Sequence, residues 1–168
     1  MKHILIIDDE KDILKSVNAI LTEEGYKCYE AINSKDALNI YNSQKIDLIL
    51  LDVWLEDSDH DGIEILEIIR SEHSMPIILM SGHGNIDMAV NAIKKGAQEF
   101  IEKPFSSERL VLSVNRTLEI SQITEENINL KNKEIFDYQF IGTSQSILKI
   151  KQLIEKVAPT SSRVLIQG

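Results

Sequence analysis

The sequence predicts an α/β fold: a five-stranded parallel sheet with helices on both faces, then a long linker helix and the beginning of a second α/β unit. Three observations carry this. Short apolar runs alternate with helix-spaced apolar residues through residue 119. The run DLILLDV (47–53) is apolar on both faces, as a central parallel strand must be. The predicted strand ends are polar, with Asp8-Asp9-Glu10, Asp52, Ser81 and Lys103.

HILIID (3–8) forms the first strand, and Ile13, Leu14, Val17, Ile20 and Leu21 share one face of the following helix. Gly25 punctuates, and YKCYEA (26–31) is a half-buried strand. SKDALNIYNSQ (34–44) is a short helix with Ser34 as its N-cap. After 47–53 come a helix carrying Ile63, Leu66 and Ile69, the strand PIILMS (76–81), and a helix with Ile86, Ala89, Val90 and Ile93 that stops at Gly96. QEFIE (98–102) is the fifth strand, and a helix begins near Ser106. In such sheets, ligands bind beyond the carboxyl ends of the strands, at the switch point in strand order.

The helical pattern then continues through 107–134, with Leu110, Val111, Val114 and Leu118, then Ile128, while Ser121 and Glu125 interrupt the heptad. One reading is a last domain helix that frays into a charged linker. The other, taken here as the expectation, is a helix that pairs two protomers as a homodimer. The predicted organisation is a first domain over 1–119, a linker helix over 120–136 and a partial domain over 137–168. The last holds a helix (Ile147, Ile150, Leu153, Ile154, Val157) and a strand from Val164 to Ile166. Gly168 follows that strand at once, as in a domain whose remainder lies beyond the chain.

With 168 residues, 43% of them apolar, the chain can bury one ordinary core and the edge of another. A net charge of -9 argues against a direct grip on nucleic acid, whose phosphates are held by Lys and Arg. The single cysteine, Cys28, forms no internal disulfide and fits a reducing compartment. MKHILIIDDEK is no signal peptide, and no run approaches the roughly 20 apolar residues of a membrane span. A soluble, cytoplasmic protein is expected.

Carboxylates converging at one place cannot all stay ionised unless a cation joins them. Asp8, Asp9 and Asp52 therefore predict a hard divalent ion, most simply Mg²⁺. Lys103 adds a positive point charge and Ser81 a hydroxyl. That combination suits a transferring phosphoryl group, with Asp52 as the nucleophile that becomes an acyl phosphate. A bland account, in which Asp8 and Asp9 cap a helix and Lys103 is a surface charge, serves any one residue better than all of them.

Other chemistries fit less well. Asp57-x-Asp59-x-Asp61-Gly62 looks like a calcium loop, but its twelfth position is Ile68 rather than a bidentate Glu, and a strand precedes it where a helix should. A flavin phosphate would meet Asp8, Asp9 and Glu10 rather than neutral backbone donors. An Mg²⁺-dependent phosphatase of the dehalogenase type, with Asp8 as nucleophile and Glu10 as acid/base, is the best enzymatic rival. It has an imperfect spacing and no room for the usual substrate-selecting cap.

IIDDE after the first strand, LLD at the third, MSGHG at the fourth and EKPF at the fifth together resemble the receiver domain of bacterial two-component response regulators, over residues 1 to 119. The resemblance implies a flavodoxin-like sheet of order 2-1-3-4-5 and phosphorylation of Asp52 by a sensor histidine kinase. It places Mg²⁺ on Asp9, Asp52 and the Trp54 carbonyl, with Asp8 acting through water. Ser81 and Lys103 would each bind a phosphoryl oxygen, and Lys103-Pro104 would be a cis peptide. Phe100 stands where the family carries its switch aromatic, with ordinary core packing as the competing role.

The stretch from Asp52 to Gly62 is longer than the family's usual loop and lacks its proline, keeping only the aspartate-glycine pair. In this it resembles the NtrX branch of the NtrC-like regulators, and the acidic loop becomes a solvated lip. IGTSQSILKIKQLIEKVAPTSSRVLIQG resembles the opening of the AAA+ ATPase domain of NtrC-type activators, with Gly168 as the first P-loop glycine. The rest of that nucleotide site is absent from these residues, so no ATP hydrolysis by that route is expected of them. A DNA-binding helix-turn-helix and contact with sigma-54 RNA polymerase would belong to further domains. The implied mechanism is a population shift: charge gained at Asp52 recruits Ser81 and Lys103 and changes how protomers or domains pack. A phosphorylation-independent interaction module on the same scaffold is the rival of a different class.

Overall fold

The computed structural model describes residues 1–56, 58–72, 75–82, 86–137, 144–160, 163 and 165. It divides the chain into two compact units, Met1–Thr124 and Glu125–Gly168.

The first unit is a five-stranded sheet of β1 (His3–Ile7), β2 (Lys27–Ala31), β3 (Leu48–Asp52), β4 (Ile77–Ser81) and β5 (Glu99–Glu102). The order is β2-β1-β3-β4-β5 and every pairing is parallel. Between strands run α1 (Lys11–Glu23), α2 (Ser34–Ser43), α3 (Gly62–Glu72) and α4 (Ile86–Lys94), and α5 (Ser107–Asp137) follows β5. The predicted parallel sheet with helices on both faces, its strand order and a long helix after it are observed.

Strand side chains alternate between faces, and the core divides accordingly. Leu5, Ile7, Ile49, Leu51, Ile77 and Leu79 meet Ala37 of α2, Ile65, Leu66 and Ile69 of α3 and Ala92 of α4. Ile4, Ile6, Leu48, Leu50, Ile78 and Met80 meet Leu14, Val17 and Leu21 of α1 and Leu110 and Val114 of α5. Every residue of β3 and β4 is buried, which is why both read as unbroken apolar runs. Each such Leu or Ile contributes roughly 1.5–3 kcal/mol, so the strand ends rest on a stiff platform.

Three expectations are corrected. The N-cap of α2 is Asn33, whose side chain accepts from Asp36 N at 2.8 Å; Ser34 is buried, and its backbone N–H donates to Ser58 Oγ at 2.9 Å. On α4, Val90 and Ile93 are exposed (46% and 48%), because Ala92, with half-buried Met88 one turn before it, faces the sheet. On α5, Leu110 and Val114 are wholly buried in the first unit's own core and Leu118 packs against them, so this stripe is not free to form a dimer seam. Val111 is half-buried, whereas Leu112, Ile120 and Ile123 are exposed.

In the second unit, α6 (Gln145–Val157) starts on Ser144, whose hydroxyl accepts from Ile147 N, and carries the predicted apolar residues. Val164, Ile166 and Gly168, which carry the expected strand and glycine, lie outside the described residues, as does Asp57. No helix among the described residues is long and apolar enough to cross a membrane.

Candidate functional site

Parallel pairing brings the carboxyl ends of β1, β3, β4 and β5 to one edge, and with them the residues predicted for the site. Asp8 follows β1, Asp52 ends β3, Ser81 ends β4 and Lys103 follows β5. Asp8, Asp52 and Ser81 are buried and Asp9 is half-buried. One carboxylate oxygen from each of Asp8, Asp9 and Asp52 lies within 4.8 Å of the others. Lys103 Nζ reaches between them, 2.6 Å from Asp8 Oδ2 and 3.2 Å from Asp52 Oδ1. The Lys103-Pro104 peptide is cis, as expected.

Backbone contacts hold each group. Asp8 N donates to Ala31 O at 3.1 Å, Val53 N to Met80 O at 2.9 Å and Lys103 N to Ser81 O at 2.8 Å. Asp8 Oδ1 accepts from Glu10 N at 3.0 Å. Asp8 is therefore tied into the site rather than spent as a helix cap.

The electrostatics follow from burial. Desolvation pushes the Asp52 carboxyl up to about 6; Lys103 opposes this, and Asp8 adds to it. Asp8 is likewise raised by burial, against the pull of Lys103. Burial alone would lower Lys103, but its hydrogen bond to Asp8 and the charge of Asp52 outweigh it and hold the ammonium up. Three carboxylates with one ammonium leave excess negative charge in a buried place. Asp52 Oδ1 is buried with an ion-pair contact but no hydrogen bond. Hard oxygen donors in surplus are the set that Mg²⁺ takes.

The β3–α3 loop, read from sequence as a solvated lip, is tied to the site at several points. Glu56 N donates to Asp9 Oδ2 at 3.3 Å and Gly62 N to Val53 O at 3.0 Å. Asp61 and Glu64 cap α3 reciprocally, at 3.0 and 2.8 Å. The sequence marked Gly62 only as half of the aspartate-glycine pair and did not mark Glu56, since neither backbone contact has a local signature. The Trp54 side chain is 53% exposed at the head of this loop. Phe100 is half-buried on β5 and packs on the α3 side of the sheet. Ile128 is exposed on the part of α5 in the second unit.

A cluster of strand-end carboxylates with a lysine on a 2-1-3-4-5 sheet defines a class, and the comparisons agree with it. A family model described as the response regulator receiver domain matches residues 4–115, and the chain belongs to that family. Among its relatives, it is 45% identical to a putative NtrX-like response regulator of Rickettsia bellii over 166 residues, 98% of this chain and 35% of that protein. It is 44% identical to the nitrogen assimilation regulatory protein NtrX of Azorhizobium caulinodans, covering 100% of this chain and 37% of that one. The crystal structure of NtrX from Brucella abortus superposes with a TM-score of 0.75 at 41% identity, covering 96% of this chain and 36% of that one. The chain thus spans about a third of the length of these relatives.

Proposed function

We propose that this chain is the phosphorylation switch of a transcriptional response regulator, with Asp52 as phosphoacceptor. The observation that carries the reading is the placement of Lys103 between Asp8 and Asp52 inside a carboxylate cluster at the strand ends. A sensor histidine kinase is the donor. An oxygen of Asp52 attacks phosphorus, the donor's P–O or P–N bond breaks, and its electron pair leaves with the donor. Water later attacks the same phosphorus, returning free carboxylate and inorganic phosphate, so the chain is a switch and not an enzyme acting on others.

Mg²⁺ would be held by Asp9, Asp52 and the Trp54 carbonyl, with Asp8 through water, and supplies charge neutralisation for the transferring group. Lys103 supplies the same from the β5 side, and Ser81 a hydroxyl donor at the end of β4. Phe100 and the exposed apolar pair Val90 and Ile93 lie along the elements that read the change. The receiver spans 1–119, the linker helix 120–136, and 137–168 opens an AAA+ domain. A homodimer forms through exposed α5 residues, chiefly Ile128 with Ile120 and Ile123. DNA and sigma-54 RNA polymerase are engaged by other domains, in the cytoplasm. The test is phosphoryl uptake from acetyl phosphate in the presence of Mg²⁺, followed by intact mass beside Asp52→Asn.

A further inference from the structure

Gly62 stands where the β3–α3 loop returns to the sheet, at the first residue of α3. Its φ is not in the left-handed region, so backbone conformation does not demand glycine. Space does. A Cβ at this position would fall 2.0 Å from the Asp52 carbonyl oxygen, 2.9 Å from the Asp52 carbonyl carbon and 2.9 Å from Val53 Cα. All three are backbone atoms, so no rotamer change relieves the overlap.

Neither partner can retreat freely. On the strand side, Val53 N is bonded to Met80 O. On the helix side, Ile65, Leu66 and Ile69 are packed into the core, Gly62 N is bonded to Val53 O, and Asp61 and Glu64 fix the first turn. A side chain at 62 therefore presses on the peptide that carries Asp52 and leads to Trp54.

We infer that Gly62 is a positioning residue for phosphoryl uptake: its bare α-carbon lets α3 seat against the Asp52 carbonyl and keeps the Asp52 carboxylate in register with Asp8, Asp9 and Lys103. The inference rests on the reading of Asp52 as phosphoacceptor. An ordinary first-turn glycine would behave oppositely, because alanine is the better helix former.

The experiment compares Gly62→Ala with the unaltered 168-residue chain. Mg²⁺ is titrated by the fluorescence of Trp54, the single tryptophan, and uptake from acetyl phosphate is timed by intact mass at saturating Mg²⁺. A misplacement near 1 Å costs about 100-fold in rate, so Gly62→Ala is expected to label about 100-fold more slowly and to need more Mg²⁺ at half-saturation. Ile69→Ala, on the same helix but away from Asp52, should lower Tm and leave both readouts unchanged. Gly62→Ala with the original rate and Mg²⁺ midpoint overturns the assignment. Should that variant unfold, trimethylamine oxide, which favours the compact state, restores it, and original values per folded molecule again overturn the assignment. An unaltered chain that neither labels nor responds to Mg²⁺ defeats the Asp52 reading and this one with it. Equal labelling of both chains defeats only this one.

Discussion

Lys103 Nζ lies 2.6 Å from Asp8 and 3.2 Å from Asp52, so the ammonium leans on the carboxylate that is not the proposed acceptor. Asp8 is wholly buried and carries the tighter contact. The lysine is thus shared before any phosphoryl arrives, and a new anion on Asp52 competes with Asp8 for it.

Removing Lys103 exposes that sharing. Losing one partner of a buried pair costs about 3–5 kcal/mol, and Lys103→Met is expected near the lower end at neutral pH. Asp8 and Asp52 already sit above the usual carboxylate range, and without the lysine both rise further. Protonation of the variant then begins above pH 6, so its deficit should shrink as pH falls from neutral toward about 6. Thermal unfolding of both chains across that range checks this; a deficit independent of pH contradicts it.

Asp52 itself is a burden to the metal-free fold. A folded pKa raised from 3.8 to about 6 means the contribution is present at low pH and lost as pH rises through 6. The cost of ionised Asp52 is at most roughly 3 kcal/mol. Asp52→Asn should therefore raise Tm at neutral pH without Mg²⁺. Adding Mg²⁺ should raise Tm of the unaltered chain and leave Asp52→Asn nearly unmoved. A metal-free variant less stable than its parent refutes the charge account.

Mg²⁺ affinity should follow the same titration. Above about pH 6 Asp52 is ionised and affinity is level; below it, each pH unit should weaken binding at least about tenfold, because a proton must leave. Trp54 fluorescence titrations at several pH values measure it. A flat profile down to pH 5 would remove Asp52 from the ligand set.

The two ends of α5 should separate by mutation. Leu110→Ala or Val114→Ala is expected to cost about 2–5 kcal/mol of receiver stability, since both fill its core. Ile123→Asp and Ile128→Asp, at exposed positions, should lower the molecular mass in solution to that of one chain and abolish the concentration dependence of Tm, without the core loss seen at Leu110 and Val114. A dimer unaffected by the exposed pair would move the interface elsewhere.

What the sequence made legible divides along physical lines. The parallel sheet and its polar edge were readable because burial on both faces leaves unbroken runs such as LILLD, and because Asp8, Asp52 and Lys103 interrupt such runs at fixed places. The α2 cap was misplaced by one residue because Asn33 and Ser34 cap about equally well. On α4, an apolar stretch wider than one face concealed that alanine, not valine or isoleucine, meets the sheet. On α5, one periodicity serves the core first and solvent afterwards. Gly62 was visible only as half of the aspartate-glycine pair, and the reason for glycine was not, because its neighbour is the Asp52 carbonyl at the far end of the loop.

The central claim is tested most directly by intact mass after incubation with Mg²⁺ and acetyl phosphate. One added phosphoryl group on the unaltered chain, absent from Asp52→Asn and absent without Mg²⁺, is the predicted result. Label of equal size on Asp52→Asn would contradict it and place the acceptor on another residue.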